Sequence, residues 1–168
     1  MRYVLPVAIL AGTLLCSCNP QRSVDETSPR PAAREPEVGP APEEAVSEAV
    51  FRYQIEHYPL SNFPSAHVHC VSMPGATDPT PELLARLNPS GEIRKISDCK
   101  VNSEVKETST GYRGIVLKVD RIREINDSEA LVEGGYYYDA LGARADVYHL
   151  TRGTAGWVVQ RAELRSIS

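Results

Sequence analysis

Residues 113–125 read RGIVLKVDRIREI, 129–152 continue as EALVEGGYYYDALGARADVYHLTR, and 156–167 close the chain with GWVVQRAELRSI. Ile115, Leu117 and Val119 alternate with their neighbours at the period of two that marks a half-buried strand. The phase changes at Asp120-Arg121, which predicts a bulge there. Glu129–Ala140, Ala143–Arg152 and Gly156–Ile167 follow at hairpin spacing, joined by Asn126-Asp127-Ser128, Leu141-Gly142 and Gly153-Thr154-Ala155-Gly156. Gly134-Gly135 inside a strand predicts a bend where the sheet curves.

Working outward, Ala66–Met73 is a further strand with Val68 and Cys70 on one face. Val46, Ala49, Val50 and Tyr53 have helical spacing, with Glu43 and Glu44 at the favourable dipole end and Pro59 as a stop. The spacing predicts a helix over about 43–57. A shorter helix follows Thr80, an N-cap type, and Pro81, suited to a first helical position; Asn88-Pro89 ends it. Helices first and successive strands after them predict an α+β domain: an N-terminal helix and one short helix packed on a curved antiparallel sheet of about 4–5 strands.

The N-terminus carries an address. Met1-Arg2 precedes a nearly uncharged run, Tyr3–Leu15, too short to cross a bilayer as a helix of about 20 residues. Leu15-Cys16-Ser17-Cys18 resembles the lipobox of bacterial lipoproteins, with Leu three before the modified Cys and a small residue just before it. Cys18 fits as the lipidated residue, and residues 1–17, Cys16 included, leave as a signal peptide. The rival readings are an ordinary secretory signal and a Cys-x-Cys metal or redox hook; the hook lacks nearby ligands. The resemblance implies attachment to the cell envelope through acyl chains such as palmitate. Asn19 after the modified Cys implies the periplasmic side of the outer membrane if the host is Gram-negative.

Removing Arg2 takes the formal charge of −4 to −5, and no basic stripe offers itself to a phosphate backbone. Nucleic acid is therefore not an expected partner; an envelope protein or small ligand is. Residues 18–44 are rich in Pro and Glu and poor in large apolar side chains, the composition of a disordered tether. It would span about 30 Å coiled and about 75 Å extended. Residues 45–168 form a single domain.

AVFRYQIEH, VHCVSM, ISDC and LVEGGYYYDALGARADVYHLTR…WVVQ…SIS resemble a group of small bacterial lipoproteins without an assigned activity. Their domain is similar to the cone-shaped nuclear-transport-factor-like and cystatin-like class. The resemblance implies a curved sheet wrapped around a long N-terminal helix, a fold that serves enzymes and binding modules alike.

Cys70 and Cys99 are the remaining cysteines, and an oxidising compartment predicts a disulfide between them. Free buried thiols or a catalytic Cys are the alternatives; no Cys-x-x-Cys is present. His67-Val68-His69 would place two imidazoles on one strand face, where His57 or His149 could complete a metal site. The blander reading leaves both histidines in solvent. Tyr136 and Tyr138 share a face with Val132, and together with His149 they are candidates for ligand contact. Tyr148 lies on the next strand, and Asp139 or Asp146 could supply a carboxylate for acid/base chemistry. Trp157 is expected as a core anchor. No phosphate-binding glycine loop, Gly-x-Ser-x-Gly, Ser-x-x-Lys or His-Glu-x-x-His occurs, and no cofactor is expected. The leading expectation is a membrane-anchored, non-catalytic binding or structural module; the alternative is a small enzyme acting on an apolar molecule.

Overall fold

A computed structural model describes residues 41–168 of the protein. The expected signal peptide, Cys18 and the expected tether up to residue 40 lie outside the described residues. The first helix, α1 (Pro42–His57), starts on a proline whose missing N–H would be unpaired there anyway, and Glu43 and Glu44 occupy its first turn. Val46, Val50, Phe51 and Gln54 turn inward. The chain continues through β1 (Ala66–Ser72), α2 (Pro81–Leu87), three short strands β2 (Ile93–Lys95), β3 (Cys99–Val101) and β4 (Val105–Glu107), and four long ones. These are β5 (Arg113–Ile125), β6 (Glu129–Asp139), β7 (Gly142–Gly153) and β8 (Gly156–Ile167). Thr80 caps α2, its hydroxyl accepting from the Leu83 N–H at 3.1 Å, while Leu83 and Leu87 enter the core. Arg86 on α2 reaches Glu44 and Glu48 on α1, each at 2.8 Å, and fastens the two helices together.

The sheet corrects the expectation of 4–5 antiparallel strands in a cone. It has eight strands and is mixed, ordered β2-β1-β5-β6-β7-β8, with the β3–β4 hairpin added through β4 to the start of β5. β1 runs parallel to both β2 and β5. The physical reasons are local. β2, β3 and β4 are three residues long, too short for alternation to register. The chain leaves β1 through α2, a crossover that returns it to the same end of the sheet and so makes a parallel neighbour. Two helices against eight strands leave the domain sheet-dominated, not wrapped around its helix.

One sheet face packs on α1 and α2. Val71, Ile115, Leu117, Val132, Tyr148 and Leu150 meet Val46, Val50, Phe51 and Leu83 there. The opposite face carries a smaller core of Val68, Cys70, Val105 and Val116, covered by the segment around β3 and β4. A disulfide joins Cys70 on β1 to Cys99 on β3 and ties that cover to the central sheet.

At Gly134 and Gly135 neighbouring strands come close. An added Cβ would sit 2.3 Å from the Lys118 carbonyl oxygen at the first and 1.9 Å from the Arg144 carbonyl oxygen at the second. Both obstacles are backbone, so only glycine fits. The pairing shifts register between Val119 and Arg121, placing a bulge at Asp120. Among the described residues no helix is long and apolar enough to cross a membrane.

Candidate functional site

A chain of polar side chains runs through the main core. Gln54 continues the inward stripe of α1, four residues after Val50, and is fully buried. Its Nε2 faces the carbonyls of Lys118 at 3.0 Å and Gly135 at 3.2 Å, and the Tyr148 hydroxyl at 3.1 Å. Two protons thus serve three acceptors, while Oε1 has no partner among the described residues. The Tyr148 hydroxyl in turn lies 3.5 Å from Asp146 Oδ2. Asp146 is 1% exposed. Arg144 Nε donates to its two oxygens at 2.9 and 2.8 Å, and the Tyr58 hydroxyl donates to Oδ2 at 3.0 Å. Arg144, Asp146 and Tyr148 are placed together by the two-residue period of β7, and Tyr58 arrives as the residue that ends α1.

The electrostatics keep the two phenols of this cluster protonated and its guanidinium charged. Burial, reinforced by the Asp146 charge, pushes the Tyr58 phenol well above its ordinary range. Burial does the same to Tyr148. The hydrogen bond to Asp146 raises Arg144 further beyond reach of titration. Both phenols are neutral donors, and the carboxylate is met by a guanidinium and a phenol within the fold. Such an arrangement fixes a core; its proton acceptor is already engaged.

Tyr136 and Tyr138 lie on the helix side of the sheet. Tyr136 packs against Tyr58 and Phe63, with ring centroids 4.8 and 5.2 Å away. The Tyr138 hydroxyl donates to the Pro64 carbonyl, and the Arg113 guanidinium lies 4.4 Å from its ring centroid. His149 sits on the opposite face, 3.5 Å from Glu163 and against Arg161, at a cleft of about 180 Å3 shared with Arg123, Leu131 and Val147. The three are not brought together. Asp139 accepts from the Leu141 N–H at 3.1 Å and pairs with Arg113 at 3.4 Å.

The two strand histidines also part. His67 occupies a bulge between Ala66 and Val68, is exposed, and stands against Tyr112. His69 is buried, with Nε2–H donating to the Tyr58 carbonyl at 3.0 Å. Burial lowers its pKa. His57 stacks on Tyr53 at 3.7 Å. Among the described residues no group of three or more His, Cys, Asp and Glu side chains could hold a metal ion.

A cleft of about 480 Å3 opens between α1 and the β7–β8 hairpin. Trp157 and Arg152 form one wall, with the guanidinium 6.0 Å from the indole centroid. Ala45, Ala49 and Arg52 form the other. Trp157 packs partly buried against the main core and also faces this cleft.

No protein-family model, curated protein or solved structure matches the chain. The residues that sequence reasoning passed over are Gln54, Tyr58, Arg144 and Arg152. A signal existed for two of them: Gln54 interrupts an apolar helical stripe, and Arg144 shares the strand period of Asp146 and Tyr148. The pairing of Arg152 with Trp157 follows from the hairpin register, which places them opposite each other.

Proposed function

We propose that the protein is a lipid-anchored envelope protein whose domain acts as a non-catalytic binding module at the end of a proline-rich tether. The observation that carries the non-catalytic reading is the condition of the Asp146 cluster. Its carboxylate is paired with Arg144 and Tyr58 inside the fold, and its two phenols are held neutral. A general base needs a free lone pair aimed at a substrate. The cleft beside α1 is instead lined by Trp157, Arg152, the Arg52–Glu48 ion pair and small side chains, a mixture suited to recognition.

Anchoring is supported by Leu15-Cys16-Ser17-Cys18 and by the Cys70–Cys99 bridge, which suits a compartment that oxidises thiols. On this reading acyl chains on Cys18 hold the protein in the envelope, on the periplasmic side of the outer membrane in a Gram-negative host. The test is metabolic labelling with palmitate in bacteria together with the mass of the mature N-terminus. Label that is incorporated by the native chain and lost in Cys18→Ala supports the reading. Unacylated cytosolic protein still beginning at Met1 overturns it.

A further inference from the structure

We infer that the cleft between α1 and the β7–β8 hairpin binds an extended acidic peptide segment of a partner protein, an inference that rests on the binding-module reading above. Three independent features converge on it.

The first is charge. On the helix side of the cleft the charges are already matched: its one lining acid, Glu48, is held by Arg52 and Arg86 at 2.8 Å each, and Arg86 also meets Glu44. Arg152 takes part in no ion pair among the described residues and lies only against the Trp157 ring. A guanidinium backed by an indole keeps its planar donor fork available for an incoming carboxylate. The second is shape. Ala45, Ala49, Ala155 and Gly156 leave about 480 Å3 open beside the indole.

The third is the backbone. β8 ends the sheet, so its outer edge has no strand neighbour among the described residues. From Gln160 onward that edge is guarded: pairing with β7 slips at Gln160 and again at Arg165, and Arg161, Glu163 and Arg165 stud the strand. Bulges and charges of this kind blunt an edge against pairing. Trp157–Val159, alongside the cleft, pairs with β7 in regular register, and Val158 is half-exposed. On the opposite edge strand, β2, the Asn88 side chain bonds both the N–H and the carbonyl of Ile93 at 2.9 and 3.0 Å. Trp157–Val159 is thus a length of edge without a strand neighbour among the described residues, beside Arg152 and an aromatic wall. An extended peptide would add backbone pairing at Trp157–Val159, set a carboxylate on Arg152 and lay an adjacent apolar side chain on the indole.

Trp157 is the chain's single tryptophan, so the cleft reports its own occupancy. The full chain in detergent micelles is titrated with acetyl-Val-Glu-Val-Glu amide, with its lysine counterpart and with inorganic phosphate, following tryptophan emission. The glutamate peptide should give a saturable change, and the lysine peptide and phosphate should not. Arg152→Gln should weaken the response at least tenfold. Arg152→Glu should reverse the preference toward the lysine peptide while keeping the wild-type melting temperature. No response to the glutamate peptide, equal responses to both peptides, a matching response to phosphate, or indifference to Arg152 substitution overturns the assignment. Acylation of Cys18 is read separately, so a silent cleft on an acylated chain sinks only this inference.

Discussion

Replacing Cys70 and Cys99 together by alanine removes the covalent tie between the central strand β1 and the β3–β4 cover. The two residues are 29 apart in sequence. In the chain-entropy treatment a closed loop of about 30 residues stabilises the fold by about 3.6 kcal/mol through restriction of the unfolded chain. Against a typical total of about 5–15 kcal/mol, that is a large share. The cover keeps other attachments: Arg94 pairs with the buried Glu107, the Thr108 N–H donates to the Asp98 carbonyl at 2.8 Å, and the Tyr137 hydroxyl donates to the Asn102 carbonyl at 2.7 Å. The double variant is therefore expected to fold, with a lower denaturation midpoint and a loss of about 3–4 kcal/mol in urea unfolding. Hydrogen exchange should accelerate first at residues 99–107 and leave β6 and β7 protected until global unfolding. A loss below about 1 kcal/mol, well under the chain-entropy figure, would refute the reasoning, as would exchange that rises uniformly over the sheet.

Asp146→Ala strands the Arg144 cation and two phenol donors beside the core, and should cost about 3 kcal/mol, the lower end for a broken buried pair because Arg144 can turn to water; a change within about 0.5 kcal/mol, the size of a neutral surface substitution, would contradict it. Gly135→Ala drives a Cβ onto the Arg144 carbonyl and should destabilise by more than about 3 kcal/mol, whereas Gly153→Ala, whose Cβ would have ordinary contact at 3.9 Å, should melt like the native protein. For pH, burial lowers the His69 pKa in the folded state, so the unfolded chain binds the proton first. Stability from this group is intact above the unfolded value of about 6.5 and falls as pH drops below it, by at most about 1.4 kcal/mol per pH unit. His69→Gln, which keeps an N–H for the Tyr58 carbonyl, should flatten that slope in urea titrations between pH 5 and 8; identical slopes in the two proteins would dismiss His69 as its source.

Patterns with a short repeat are legible in the sequence. β5 and β8 run over the ranges their alternation marks, Arg113–Ile125 and Gly156–Ile167, and α1 and α2 fall where caps, prolines and apolar spacing put them. The bulge at Asp120 shows in the sequence as a change of phase. Three-residue strands carry no period, and the bulge at His67 turns two histidines that share a strand parity onto different environments. Strand alternation puts Tyr136 and Tyr138 on one face, but it does not say which face of the next strand His149 takes, and the sheet sets it away from the tyrosines.

What the amino-acid sequence determined alone is whatever depends on neighbours along the chain: helix ends, strand alternation, turn glycines, and the supply of two cysteines able to join. Only the tertiary structure decided that β1 lies parallel to β2 and β5, that Asp146 meets Arg144 and Tyr58, and that Arg152 has no acid beside it among the described residues. Those outcomes depend on which backbone and side chains arrive from far along the chain, and the burial that gives a carboxylate or a guanidinium its energy exists only once they have met.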